Sequence, residues 1–174
     1  GVTTLQTVPP GVPAIVAIGD NRTRAEVSAT LAEHGRPLAT VVHPSASVSP
    51  SASLGAGTYL AEFAAVRTGA VVGEGVVLQA GCVVSHDCHL QAHASFGPNA
   101  VAASKVRIGQ RTVVGAGAAI APGLAIGRDS KVAAGAAVFK DAGDNVSLVG
   151  NPARSTPSPD KAVIHSDWDA NLAW

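Results

Sequence analysis

Read in steps of six from Val42, the chain presents an apolar side chain every time: Val42, Val48, Leu54, Leu60, Val66, Val72, Leu78, Val84, Leu90, Phe96, Ala102, Ile108, Val114, Ile120, Ile126, Val132 and Val138. With about half of the chain apolar, seventeen such hits in succession have a chance probability on the order of one in 10⁵. Four places after each of these residues stands a second, more compact column: Ala46, Ala52, Thr58, Ala64, Ala70, Val76, Cys82, Cys88, Ala94 and Ala100. The thirteen glycines between Val42 and Ala142 all fall one or three places after the aliphatic residue, and Pro44, Pro50, Pro98 and Pro122 all fall two places after it. Gly and Pro punctuate turns, so a turn recurs every six residues with a short strand between turns.

A six-residue period with two inward columns predicts a triangular coil, three such sides to a rung, each rung hydrogen-bonded to the next as in a parallel sheet. Seventeen sixes make nearly six rungs, a stack roughly 27 Å tall at ~4.8 Å per rung. The expected fold class is therefore mostly β, a parallel β-helix of about six rungs. Ahead of it, residues 14–18 read as a short strand, Gly19-Asp20 as a turn with a helix N-cap, 21–34 as a helix with Val27 and Leu31 on one face, and 38–42 as a second strand. The domain boundaries are then 1–41 for a truncated βαβ unit, 42–143 for the coil and 144–174 for a C-terminal loop and polar tail.

Composition narrows the classes. The chain's 174 residues leave room for one domain and a small appendage. Twelve basic residues balance twelve acidic ones, so the footprint of a nucleic-acid or anionic-membrane binder is missing. Aromatics are only 3% of the chain, which leaves the core to Val, Ile, Leu and Ala. No apolar run spans a membrane and no leader pattern opens the sequence, so the expected location is the cytoplasm. The chain has no Met, and further residues are expected ahead of Gly1. Cys82 and Cys88 belong to the inward column and are expected to pack rather than react; with only two cysteines and no CxxC there is neither a disulfide framework nor a zinc site.

Two features carry chemistry. His86 stands two places after Val84, at a corner where a side chain can leave the coil, and Asp87 beside it can hold the imidazole in one tautomer and stabilise its protonated form, as a general base requires. Ser104 follows three repeats later, one rung away on the same corner.

Four motifs share a wider likeness: Ile15-Val16-Ala17-Ile18-Gly19-Asp20-Asn21-Arg22-Thr23-Arg24, Val42-His43-Pro44-Ser45-Ala46, Val84-Ser85-His86-Asp87-Cys88 and Gly150-Asn151-Pro152-Ala153-Arg154. In order and spacing they resemble bacterial nucleotide-sugar N-acetyltransferases and the related sialic-acid O-acetyltransferases, members of the hexapeptide-repeat acyltransferases. The resemblance implies a left-handed coil, an exception to the right-handed crossover rule. It further implies acetyl transfer from acetyl-CoA, without a metal, to an amino or hydroxyl group of a nucleotide-linked sugar, in a homotrimer with an active site at each seam. His86 matches the family's general base, with Asp87 as its partner. The backbone N–H of Ser104 matches the donor to the oxyanion, and Ala116 and Ala134 match positions along which pantetheine runs. Gly19 and Asn21 fall on the nucleotide-sugar side, in a βαβ domain whose first strand and Gly-rich loop are missing here. One departure stands out: nine residues after His86 the family has a second His near the thioester, and this chain has Ser95, with Gln91-Ala92 in place of Gly-Asp.

Two other readings compete. A non-catalytic scaffold or inactive paralogue is motivated by Ser95 and the missing front strand. A metalloenzyme like the γ-class carbonic anhydrases would need His86, His89 and His93 to converge on zinc.

Overall fold

The computed structural model describes residues 11–157; the two ends, including the tail from 158 on, lie outside the described residues. Seventeen two-residue strands follow one another in steps of six, from β1 (Val41–Val42) and β2 (Ser47–Val48) to β16 (Lys131–Val132) and β17 (Ala137–Val138). Every third strand pairs in parallel with the next rung, so Ser95 lies against Val77 on one side and Val113 on the other, three repeats away each time. Three sheets result: a first that begins at β1, a second that begins at β2, and a third that begins at β3 (Ser53–Leu54). The solenoid of about six turns fits the left-handed β-helix.

Both inward columns are buried. Leu60, Val66, Leu78, Val84 and Phe96 of the first, with Ala64, Ala70, Val76, Cys82 and Cys88 of the second, are at 0% exposure. Only the opening rung escapes, where Val42 stays 41% exposed because no rung lies beneath it. Burial of the Cys82 thiol pushes its pKa up to about 12, and Cys88 donates to the Ala103 carbonyl at 3.0 Å. Both cysteines pack, as expected.

The repeat's punctuation follows from backbone chemistry. Residues on either side of each turn donate to the next rung, as Ser85 does to Ala102 and His89 to Val106. The residue two places after the buried aliphatic one has an N–H that meets no backbone acceptor, so proline loses nothing there. One place later the backbone is left-handed, with Asp87 at φ 58°, Lys105 at 62° and Gly75 at 62°. Gly73 illustrates the other glycine position: a Cβ there would lie 2.8 Å from the Ala92 nitrogen of the next rung.

The ends depart from the sequence reading. The strands expected at 14–18 and 38–42 shrink to one parallel bridge, Ala14 to Leu38, plus β1, because two short extended segments have no third partner to build a ladder. The helix α1 (Asn21–Glu33) is capped by Asp20, whose carboxylate accepts from the Thr23 N–H at 2.8 Å. Its buried face is Asn21, Arg24, Ser28 and Leu31, not Val27 with Leu31; Val27 is only half-buried. Past the coil, the expected loop holds a hairpin, β18 (Val146–Val149) and β19 (Arg154–Pro157), with β18 extending the first sheet.

Candidate active site

A triangular coil has three edges. His86, Asp87 and Ser104 share the edge between the second and third sheets, on turns that follow β8 (Val83–Val84) and β11 (Val101–Ala102). His86 Nδ1 lies 2.9 Å from Asp87 Oδ2, and both side chains are about half exposed, at 52% and 54%. An aspartate accepting from Nδ1–H leaves the Nε2 lone pair directed away from it, the tautomer that a base needs. The turn is pinned on both sides: Asp87 N–H donates to the Thr68 carbonyl and Lys105 N–H to the His86 carbonyl, each at 3.0 Å.

Gly69, one rung below Asp87, makes room for the carboxylate. Its φ is +66°, and a Cβ there would stand 2.6 Å from Asp87 Oδ1. On the next rung up, Ser104 accepts at its carbonyl from Gly123 N–H, while its own N–H meets no acceptor among the described residues. A base and an unpaired amide donor thus stand one rung apart on one edge, which suits attack on a carbonyl with an oxyanion to be held.

The other expected residues lie elsewhere on the chain. Ser95 starts β10 (Ser95–Phe96) in the first sheet, which is the side of the triangle opposite the His86 edge. Ala116 and Ala134 are exposed on the edge between the first and second sheets. Gly19 and Asn21 lie at the third edge, where α1 docks. One chain therefore does not bring them to His86. Asn21 requires a correction as a substrate contact: it is 4% exposed, its Nδ2 donates to the Arg111 and Thr112 carbonyls, and its Oδ1 accepts from Arg24. The amide is committed to docking the helix, whereas Gly19 stays exposed.

Sequence reasoning missed the residue that fastens this lobe. Arg24 is 1% exposed and aims its guanidinium at backbone oxygens: Nε to Gly75 at 2.9 Å, Nη1 to Ile18 at 2.9 Å and Gly19 at 3.3 Å, Nη2 to His93 at 2.8 Å. The available signal was the polar stripe Asn21, Arg24 and Ser28 at helical spacing on the face that had to meet the coil. His93, beside it, is buried with Nδ1 unpartnered and Nε2 3.9 Å from Glu74 Oε1. Burial first, then Arg24, holds its pKa below the ordinary value against the opposing pull of Glu74.

The three histidines of the zinc reading stand apart, His86 on one edge, His89 on the third sheet in β9 (His89–Leu90) and His93 on another edge. Among the described residues no group of three His, Cys, Asp or Glu side chains is placed to hold a metal ion. No helix among them is long and apolar enough to cross a membrane.

The fold and this edge define a hexapeptide-repeat transferase. Residues 105–140 match the family model described as the hexapeptide repeat of succinyl-transferase. A histidine-to-alanine mutant of GDP-perosamine N-acetyltransferase from Caulobacter crescentus, solved with CoA and GDP-perosamine, superposes with TM-score 0.84 at 35% identity, over 90% of this chain and 73% of that one. The acetyltransferase domain of PglB from Neisseria gonorrhoeae, solved with acetyl coenzyme A, gives TM-score 0.85 at 33% identity, over 88% and 76%. WeeI from Acinetobacter baumannii, at 22% identity and TM-score 0.70 over 86% of this chain and 73% of that one, shares the fold. Comparison with curated protein sequences gives no match. The chain belongs to the hexapeptide-repeat nucleotide-sugar acetyltransferase family.

Proposed function

We propose that this protein transfers the acetyl group of acetyl-CoA to the amine of a nucleotide-linked amino sugar, with His86 as general base. The observation that carries the reading is the His86–Asp87 pair at 2.9 Å with the unpaired Ser104 N–H one rung away, in a chain 35% identical to an enzyme crystallised with CoA and GDP-perosamine.

The chemistry follows from the edge. A neutral sugar amine attacks the thioester carbonyl carbon, and its proton passes to His86 Nε2 as the C–N bond forms. The carbonyl oxygen gains negative charge and is met by the Ser104 N–H. Collapse breaks the C–S bond; the thiolate of CoA takes up a proton, and the N-acetyl sugar is released. Asp87 keeps the Nδ1 proton in place and balances the imidazolium charge. Ser95 offers a hydroxyl hydrogen bond to the thioester, Ala116 and Ala134 give pantetheine a smooth track, and Gly19 borders the sugar nucleotide.

These groups meet only if a second copy supplies some of them, so the active species is a homotrimer with a site at each seam. The second sheet supports this: its outward residues Val83, Val101, Ala119 and Ala137 make an apolar stripe. Within residues 61–65, Ala61, Ala64 and Ala65 are already buried within the chain at 2%, 0% and 6%, while Phe63 stands 72% exposed. A monomer mass by light scattering at micromolar concentration overturns the trimer. The donor, acetyl-CoA, fits a cytoplasmic setting.

His86→Ala tests the reading. It is expected to lower kcat by at least ~10²-fold with CoA affinity and oligomeric state unchanged, because the side chain lies outside the packed columns. Asp87→Asn loses less, since the imidazole remains. Full activity in His86→Ala removes His86 from the mechanism.

A further inference from the structure

The outer face of the third sheet lies between the His86 edge and the edge where α1 docks, and a groove of about 720 Å³ opens on it. His89 and Arg107 wall it; Gln91, Arg128 and Asp144 close the end toward the helix edge, and Ala125 stands beside Arg107 on the next rung. His89 and Arg107 are Cα partners in β9 and β12 (Arg107–Ile108), so both side chains leave the same face one rung apart. Two other arginines near this edge are neutralised, Arg111 by Asp129 and Arg128 by Asp144 at 3.0 Å. Arg107 is exposed and has no ion pair among the described residues.

We propose that this groove is a subsite for the phosphate groups of a nucleotide ligand, with the Arg107 guanidinium as their principal partner and His89 as a second donor. The inference rests on the acetyl-transfer reading for the identity of the ligands. Three observations carry it. A guanidinium fork matches phosphate oxygens two at a time, and this one is free. The groove has the volume of a nucleotide-sized site, and the short Ala125 side chain leaves space above the fork. Finally, the face joins the two parts of the reaction: its far side reaches the edge where Arg24 and Asn21 fasten the N-terminal lobe, and His89 lies three residues from the base on the same rung. A sugar nucleotide held from the lobe with its amine at His86 crosses this face. Asp144 does not oppose the anion, because Arg128 already pairs with it. Both substrates carry a diphosphate, so the shared chemistry is a nucleotide diphosphate, and the source is decided by experiment.

The test compares Arg107→Ala and Arg107→Lys with the unmodified chain, using Lys131→Ala on the first sheet as a charge-loss control. Calorimetry measures the affinities for GDP, UDP and CoA, and steady-state kinetics use GDP-perosamine and acetyl-CoA. Arg107→Ala is expected to weaken binding of one diphosphate carrier at least 10-fold and raise the matching KM, with kcat within threefold; Arg107→Lys restores part of the loss as a point charge without the fork. A loss confined to GDP or UDP assigns the groove to the sugar nucleotide, and one confined to CoA assigns it to the donor. Unchanged affinity for all three overturns the subsite. If the unmodified chain acetylates no nucleotide amino sugar, the functional reading falls, while the three binding measurements still decide the groove.

Discussion

Arg24→Met isolates the contact that holds the N-terminal lobe to the coil. Methionine keeps much of the apolar stem but removes every donor. Two of the lost bonds cross from α1 to the coil, to the Gly75 carbonyl at 2.9 Å and the His93 carbonyl at 2.8 Å, in surroundings that leave Arg24 only 1% exposed. Leaving a buried acceptor without its donor costs about 1–3 kcal/mol each, and partial entry of water offsets some of this, so the docked lobe should lose about 3 kcal/mol. A 13-residue helix is marginal by itself, so its persistence depends on docking rather than on propensity. Three kcal/mol corresponds to a roughly 10²-fold larger population of the undocked form. Hydrogen exchange reads this directly: amides in the middle of α1 should lose about 10²-fold in protection. Coil amides such as Val113, bonded to Ser130, should keep theirs. A loss below threefold in α1, or an equal loss in helix and coil, refutes the argument that this guanidinium fastens the lobe.

Other outcomes follow from the same geometry. Gly69→Ala pushes a methyl toward Asp87 Oδ1 and strains a left-handed φ of +66°, so kcat should fall by less than in His86→Ala with CoA affinity kept; a variant as active as the parent refutes the spatial role of Gly69. His93 has a folded-state pKa below its unfolded value of ~6.5, so the unfolded chain binds the proton more readily. Its contribution to stability is present above that pH and is lost as pH falls from there through the folded pKa. The melting temperature should drop over that window, less steeply in His93→Gln, and identical pH profiles would count against the assignment. Phe96→Ala empties the largest apolar side chain of the core and should cost about 3–5 kcal/mol in denaturant unfolding.

The coil was legible in the sequence because its determinants are local and repeated. Each six-residue unit carries its own inward aliphatic residue, its compact partner and its turn glycine or proline, and a strand that pairs with its counterpart three repeats on meets the same pattern every time. His86 and Asp87 were legible for the same reason, since the column number alone places them on a corner and adjacency joins them. Handedness was not in the period and came from resemblance. What the period cannot encode is which edge meets which partner. Arg24 reads as a surface cation on a helix until the coil supplies the Gly75 and His93 carbonyls that it fills, and Asn21 reads as a ligand contact until the same edge consumes its amide. Gly69 reads as turn punctuation until Asp87 on the next rung needs the space of its missing side chain. Ser95 stands only nine residues after His86, yet a triangular section puts them on an opposite side and corner. The sequence by itself determined the repeating backbone and the chemistry on one corner; the tertiary structure decided how residues on different edges and rungs are joined or kept apart, because those distances depend on the closed cross-section and not on spacing along the chain.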